Sequence, residues 1–145
     1  MVMKEYSVGI IFDHELKKVL LVLKNRPEHL KGTYNGPGGK FEDEDKDYFD
    51  CIVREVCEEC ALVTKKSDWK YCGVLNSSDR AVYFLTLVYS GFNEDAKKST
   101  DEDIFWLDLN QLPNHLSNNM EWIIPWSFEI AKGAGDLKHF NAQIK

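Results

Sequence analysis

Arg54, Glu55, Glu58 and Glu59 stand together in the run R-E-V-C-E-E, and their types and spacing suit one kind of chemistry. On a helix, at about 100° per residue, Glu55, Glu58 and Glu59 take positions i, i+3 and i+4 and share one face. Like charges at these spacings repel, and near a helix C-terminus the macrodipole adds to the penalty. A divalent cation reverses both. Oxygen donors suit Mg²⁺ or Mn²⁺, and Mg²⁺ is commonly held by one or two carboxylates together with substrate phosphates. The alternative is an ordinary solvated acidic face in which Arg54 and Glu58 form an i, i+4 pair.

The elements around this run are legible from periodicity. Phe49, Ile52, Val53, Val56 and Cys60 follow the spacing of an amphipathic helix, with Asp47 placed to cap its N-terminus. Before it, Gly36, Gly38 and Gly39 surround Pro37, a turn whose backbone can approach a phosphate or a metal closely; a plain tight turn is the competing reading. Tyr6 to Phe12 and Val19 to Leu23 read as strands joined by the polar DHELKK turn, a pair able to form a hairpin. After the helix, Trp69 to Leu75 and Arg80 to Tyr89 read as strands around the turn NSSD. Ile104 to Leu109 reads as a short strand, LNQLP as a turn of helix, and MEWIIPWSFEIAKG as a final amphipathic helix ending near Gly133. Pro125 must lie in that helix's first turn or kink it.

Residues 38–62, GGKFEDEDKDYFDCIVREVCEECAL, resemble the Nudix box, G-x5-E-x7-R-E-U-x-E-E-x-G-U with U aliphatic. Gly39 takes the first glycine; Arg54, Glu55, Val56, Glu58, Glu59 and Leu62 take R, E, U, E, E and the final U. Two places depart. The interval from Gly39 to Arg54 is one residue too long, so Glu44 or Asp45 must substitute for the first glutamate. Ala61 replaces the second glycine, which suggests that the helix ends less sharply or that the chain avoids positive φ there. The segment IFWLDLNQLP is similar to a W-F-x-L-x-x-L-P stretch common in the family, and the tail KHFNA is a weaker echo.

The resemblance implies a single Nudix hydrolase domain over residues 1–145, an α/β/α sandwich with a mixed β-sheet between helices. It implies Mg²⁺ (or Mn²⁺) held by Glu55, Glu58, Glu59 and the Gly38 carbonyl. Glu55 is then either a ligand or the base that takes a water's proton, Arg54 orients a carboxylate, and Gly39 and Lys40 meet the substrate, Lys40 as a point charge for a phosphate. A further carboxylate is expected from the acidic loop FNEDAKKSTDED, with Glu102 ahead of Asp101 and Asp103. The implied reaction is hydrolysis of a phosphoanhydride in a nucleoside diphosphate linked to some group X.

Composition bounds the partners. Of 145 residues 43% are hydrophobic, enough for one core, and the net charge of −6 leaves no basic footprint for a nucleic-acid polymer or a membrane surface. The expected partner is a small-molecule nucleotide, handled by a monomer or a homodimer. No stretch resembles a secretion signal, so a cytoplasmic location is expected. Cys57 and Cys60 form a C-x-x-C pair inside a helix, with Cys51 and Cys72 offering no second close pair; small buried hydrophobes, rather than a zinc site, are expected.

Substrate choice rests on the loop before the box. G-T-Y-N-G-P-G-G resembles G-R-W-N-G-F-G-G of the oxidised-purine nucleoside triphosphatases related to MutT, in which the asparagine reads the base, and Asn35 matches it. Asn35 could equally be a turn residue before Gly36. Trp122 could stack on a base or belong to the core. These features point to a nucleoside triphosphate diphosphatase, with a modified purine such as 8-oxo-dGTP as one candidate. The alternatives are an ADP-ribose or nucleotide-sugar pyrophosphatase and a non-catalytic nucleotide-binding module.

Overall fold

The computed structural model describes residues 3–133 and 139–144. Eight strands form one mixed sheet: β1 (Lys4–Phe12), β2 (Lys18–Leu23), β3 (Tyr34–Asn35), β4 (Gly38–Lys40), β5 (Lys70–Asn76), β6 (Arg80–Val88), β7 (Ile104–Asp108) and β8 (Phe140–Gln143). The order is β3-β2-β1-β6-β5-β8, with β4 added to β1 and β7 to β2. Helix α1 (Tyr48–Cys60) covers one face and α2 (Met120–Ala131) the other.

The long, apolar β1 explains this layering. Its alternate side chains divide between the layers: Val8, Ile10 and Phe12 pack with Met120, Ile123 and Ile124 of α2, whereas Ile11 packs with Ile52 and Val56 of α1. Both faces being covered, the strand is buried nearly throughout. β1 runs antiparallel to β2 and β4 and parallel to β6, and the expected hairpin forms with Ile11 opposite Leu20.

Helix α1 begins as its sequence dictates. The Asp47 carboxylate accepts the Asp50 N–H at 2.8 Å, a cap worth about 1 kcal/mol. Its end corrects an expectation. Ala61 adopts the left-handed conformation, φ 59° and ψ 23°, and its N–H returns to the Cys57 carbonyl at 3.0 Å. The helix therefore ends as sharply as a glycine would end it, with a β-carbon where glycine would be easier. Two further expectations shift. LNQLP forms a turn rather than helix, and Pro125 sits inside α2, beyond its first turn. The tail, whose Lys138 lies outside the described residues, supplies β8 beside β5; its half-buried Phe140 and Ala142 alternate with exposed neighbours.

The cysteines are free, with Cys51, Cys60 and Cys72 buried and Cys57 exposed. Burial pushes the Cys60 thiol up to about 12, as expected of a small core hydrophobe. Among the described residues no helix is long and apolar enough to cross a membrane.

Candidate active site

The glycine turn meets α1 along the edge of β4. Gly9 N–H donates to the Pro37 carbonyl at 2.8 Å and Phe41 N–H to the Glu5 carbonyl at 2.9 Å, so by antiparallel alternation Gly39 faces β1 while Gly38 turns its backbone groups away from it. The Gly38 N–H donates to Glu59 Oε1 at 2.8 Å, and the Gly38 carbonyl projects from the same edge. A β-carbon on Gly39 would lie 2.5 Å from the Glu55 carboxyl carbon, so at this position glycine is what lets the helix carboxylate close on the strand.

Two kinds of carboxylate result. Arg54, only 16% exposed, is a hub: Nη2 and Nε reach both oxygens of Asp45 at 2.7 and 3.2 Å, Nη1 reaches Glu55 at 2.8 Å, Glu42 at 3.2 Å and Glu58 at 3.3 Å, and Nη2 also donates to the Lys40 carbonyl at 3.1 Å. Asp45 is buried against this fork, which holds its carboxyl below the usual range, while Arg54 is itself raised, first by the bond to Asp45. Of the two candidates for the missing box glutamate, Asp45 occupies the arginine and Glu44 is exposed. The Lys40 side chain is exposed at the end of β4.

Glu59 differs. It is 7% exposed, and burial pushes its carboxyl up to about 7, opposed by the Gly38 N–H and by Lys24, reinforced by the charges of Glu55 and Glu102. Glu55 is raised by burial as well, against the pull of Arg54. Ligand atoms of Glu42, Glu55 and Glu58 lie within 4.8 Å of one another, a separation one cation can bridge.

The distal loop turns Glu102 inward. Lys97 and Ser99 donate N–H groups to the terminal α1 carbonyls of Cys60 and Glu59 at 2.8 and 3.2 Å, satisfying groups that a helix end leaves open. Glu102 is then buried and accepts from Lys24 Nζ at 3.1 Å and the Asn25 N–H at 2.8 Å, whereas Asp101 pairs with Arg26 and Asp103 with Lys98 at the surface. Glu42 and Lys24 were not singled out by the sequence. Lys24 does carry a faint signal, a cation directly after the buried strand KVLLVL; Glu42 is one acid among several in FEDEDKD, and spacing cannot choose it.

Trp122 lies on the α2 side of the molecule with Tyr34, whereas Asn35, next to Tyr34 in β3 and opposite Val22, turns its side chain to the other face. The Asn35 Oδ1 accepts the Gly36 N–H at 2.9 Å, the turn role, and among the described residues the amide NH₂ meets no acceptor. Tyr34 N–H donates to the His115 carbonyl at 2.9 Å and Ser117 N–H to the Tyr34 carbonyl at 2.8 Å, which lays the segment before α2 beside Asn35. Trp122, half-buried, packs edge-on against Phe140, centroids 4.9 Å apart, and donates its indole N–H to Asn119 at 3.0 Å.

The NUDIX domain family model matches residues 3–127, most of the chain and all of this site. The chain belongs to the Nudix family. Its fold is shared with MutT structures from work on Aliivibrio salmonicida and Vibrio cholerae (18% identity, 85% of this chain and 98% of that one, TM-score 0.67). It is shared too with the NUDIX domain of Shewanella oneidensis NrtR in complex with ADP ribose (21% identity, 90% and 89%, TM-score 0.73) and a MutT NUDIX hydrolase from Burkholderia pseudomallei (16% identity, 87% and 98%, TM-score 0.69). No curated protein matches the chain in sequence. At such identities the likeness speaks for the Nudix fold, and the expected α/β sandwich with its mixed sheet is what the strands form.

Proposed function

We propose that this Nudix protein hydrolyses the phosphoanhydride of a nucleoside diphosphate linked to X, with a nucleoside triphosphate, cut to nucleoside monophosphate and pyrophosphate, as the favoured substrate. One observation carries the reading: Glu59 is buried and pinned by the Gly38 N–H beside Glu55 and the Glu42–Glu55–Glu58 cluster, a concentration of carboxylate that a divalent cation would relieve. The donors are all oxygen and fit Mg²⁺ or Mn²⁺, with Glu55, Glu58, Glu59, Glu42 and the Gly38 carbonyl available to hold it. When bound, such an ion neutralises phosphate oxygens and lowers the pKa of a water.

The chain's own residues do the rest. Arg54 is tied to Asp45 and the Lys40 carbonyl, so it fixes the rotamer of Glu55 rather than reaching for substrate. Glu55, its carboxyl raised by burial and held by Arg54, is assigned the proton exchange with a water, and Glu102, whose charge reaches Glu59, the part of distal carboxylate. Gly39 lets the Glu55 carboxylate close on the strand at the edge where the substrate is assigned, and Lys40 at the rim steers the anion. Asn35 is assigned the base contact through its free amide NH₂, with the Ser117 segment as the opposite wall. Replacing Asn35 by Ala should change the purine-to-pyrimidine ratio of kcat/KM by about 1 kcal/mol or more while hydrolysis continues; an unchanged ratio leaves Asn35 as a turn residue.

The second reading draws on the ADP ribose bound to the NrtR NUDIX domain, whose fold this chain shares. It covers an ADP-ribose or nucleotide-sugar pyrophosphatase and, without turnover, a nucleotide-binding module. A screen of nucleoside triphosphates, modified purine triphosphates, ADP-ribose and nucleotide sugars with Mg²⁺ and Mn²⁺ decides. Monophosphate plus pyrophosphate is expected; AMP plus ribose phosphate selects the second reading, and tight binding without products selects the module.

A further inference from the structure

Lys24 is the unusual cation of this molecule. It sits at the end of β2 with a side chain 17% exposed, and its Nζ lies 3.1 Å from Glu102 Oε1, a carboxylate 4% exposed. The Asn25 N–H takes the other oxygen of Glu102, so consecutive residues hold both. The loop bearing Glu102 is tied at its far side to the carbonyls of Glu59 and Cys60. Among the described residues the half-buried Lys24 ammonium is thus the cation set between the end of β2 and the end of α1, where Glu59 and Glu102 are both buried. Arg54 cannot share the load, because its donors are taken by Asp45, Glu42, Glu55, Glu58 and the Lys40 carbonyl.

A surface ion pair would not explain this placement, since lysine is almost never buried without a partner and two buried carboxylates outnumber it. The charge of Lys24 bears on Glu59 as well as on Glu102. We propose that Lys24 is a positioning residue whose ammonium is the internal counter-cation of the pocket, holding Glu102 at the site and competing there with a divalent ion. The inference rests on the proposed metal-dependent function for its catalytic meaning, but the competition stands on binding alone. An ammonium and a divalent cation repel, so the lysine makes the empty pocket stable and the filled one weaker. Metal bound with an anionic nucleotide offsets that repulsion, and the pocket would then bind metal best when substrate brings it.

The test is calorimetric titration of Mn²⁺ into the nucleotide-free protein, for wild type, Lys24→Met and Lys24→Arg, together with the metal-free Tm. Lys24→Met should bind Mn²⁺ about tenfold more tightly, while its metal-free Tm falls. Lys24→Arg keeps the charge and should stay within about twofold of wild type. In turnover, Lys24→Met should lower kcat with KM for nucleotide little changed, because Glu102 is no longer held, and Lys24→Arg should rescue part of kcat. Mn²⁺ binding to Lys24→Met that is no tighter than wild type overturns the counter-cation role. A raised KM at constant kcat overturns the positioning role in favour of a direct phosphate contact. Should Lys24→Met fail to fold, Lys24→Gln removes the charge while keeping a donor for Glu102, and the same comparison applies. If no nucleotide is turned over by wild type, the function proposed above fails, while the Mn²⁺ affinities still judge Lys24.

Discussion

On the outer side of α1, Asp45, Glu42, Glu55 and Glu58 gather around the Arg54 guanidinium; on the inner side, Glu59 is buried against a backbone N–H with Lys24 and Glu102 beyond it. The same helix turn carries both groups. In the outer group the protein supplies its own neutralising cation, so its charges stabilise the metal-free fold. In the inner group burial raises Glu59 to about 7, and the protein pays a standing cost for keeping a carboxylate there. Neighbouring carboxylates thus differ in whether the protein itself supplies their counter-charge.

The largest effect expected from breaking this contrast falls on the inner group. Glu59→Gln keeps the size and a partner for the Gly38 N–H but removes the charge, so turnover should fall by about 10²–10³-fold while the metal-free Tm holds or rises. Steady-state assays and thermal melts on one preparation check both halves.

Arg54→Ala strikes the outer group and should lower stability as well as turnover, since Arg54 also holds Glu55. It leaves Asp45 buried without its partner, a loss of about 3 kcal/mol by denaturant titration. Asp45→Asn should cost less than Arg54→Ala and Glu44→Gln nothing measurable, since Glu44 is exposed; equal losses from Asp45→Asn and Glu44→Gln would count against Asp45 as the one of the two that takes the first glutamate's place.

The contrast also has a pH dependence. Glu59 is raised from its ordinary value of 4.5, so the folded state binds its proton more tightly than the unfolded chain; the stability this supplies is full below 4.5 and is lost as pH rises through about 7. The groups acting on it are the Gly38 N–H, Lys24, Glu55 and Glu102. Asp45 is lowered by Arg54 and works oppositely, losing its contribution as pH falls below the ordinary 3.8. The metal-free Tm should therefore drop by roughly 5 °C between pH 5 and 7.5, and Glu59→Gln should flatten that drop.

How far the sequence could foresee this divides along the same line. The box helix, its Asp47 cap and the i, i+3, i+4 carboxylates are local, and local spacing determined them. The acidic distal loop singled out Glu102 as a candidate, but its inward course depends on bonds to the end of α1 that no spacing encodes. The partners of Arg54 were out of reach: with one residue too many in the loop, Glu44 and Asp45 are equivalent on paper, and it is the turn that brings the Glu42 N–H to Asp45 that aims Asp45 at Arg54. Lys24 required the pairing of two segments 78 residues apart. Asn35 and Trp122 were each given two readings, and the packing adds a turn bond to one and a core contact to the other.

Ala61 gives the smallest effect. Glycine is at ease with positive φ and alanine is not, so Ala61→Gly should raise stability by about 1 kcal/mol without touching turnover. An unchanged or lowered Tm would mean that the strain at the helix end is relieved elsewhere.

The account turns on Glu59 being a carboxylate held in readiness for a cation, and the most direct measurement is electron paramagnetic resonance of Mn²⁺ titrated into wild type and Glu59→Gln at pH 7.5. Wild type should bind Mn²⁺ in the absence of nucleotide and Glu59→Gln at least about tenfold more weakly. Equal affinities in the two proteins would contradict the account and leave Glu59 as a buried acid of the core.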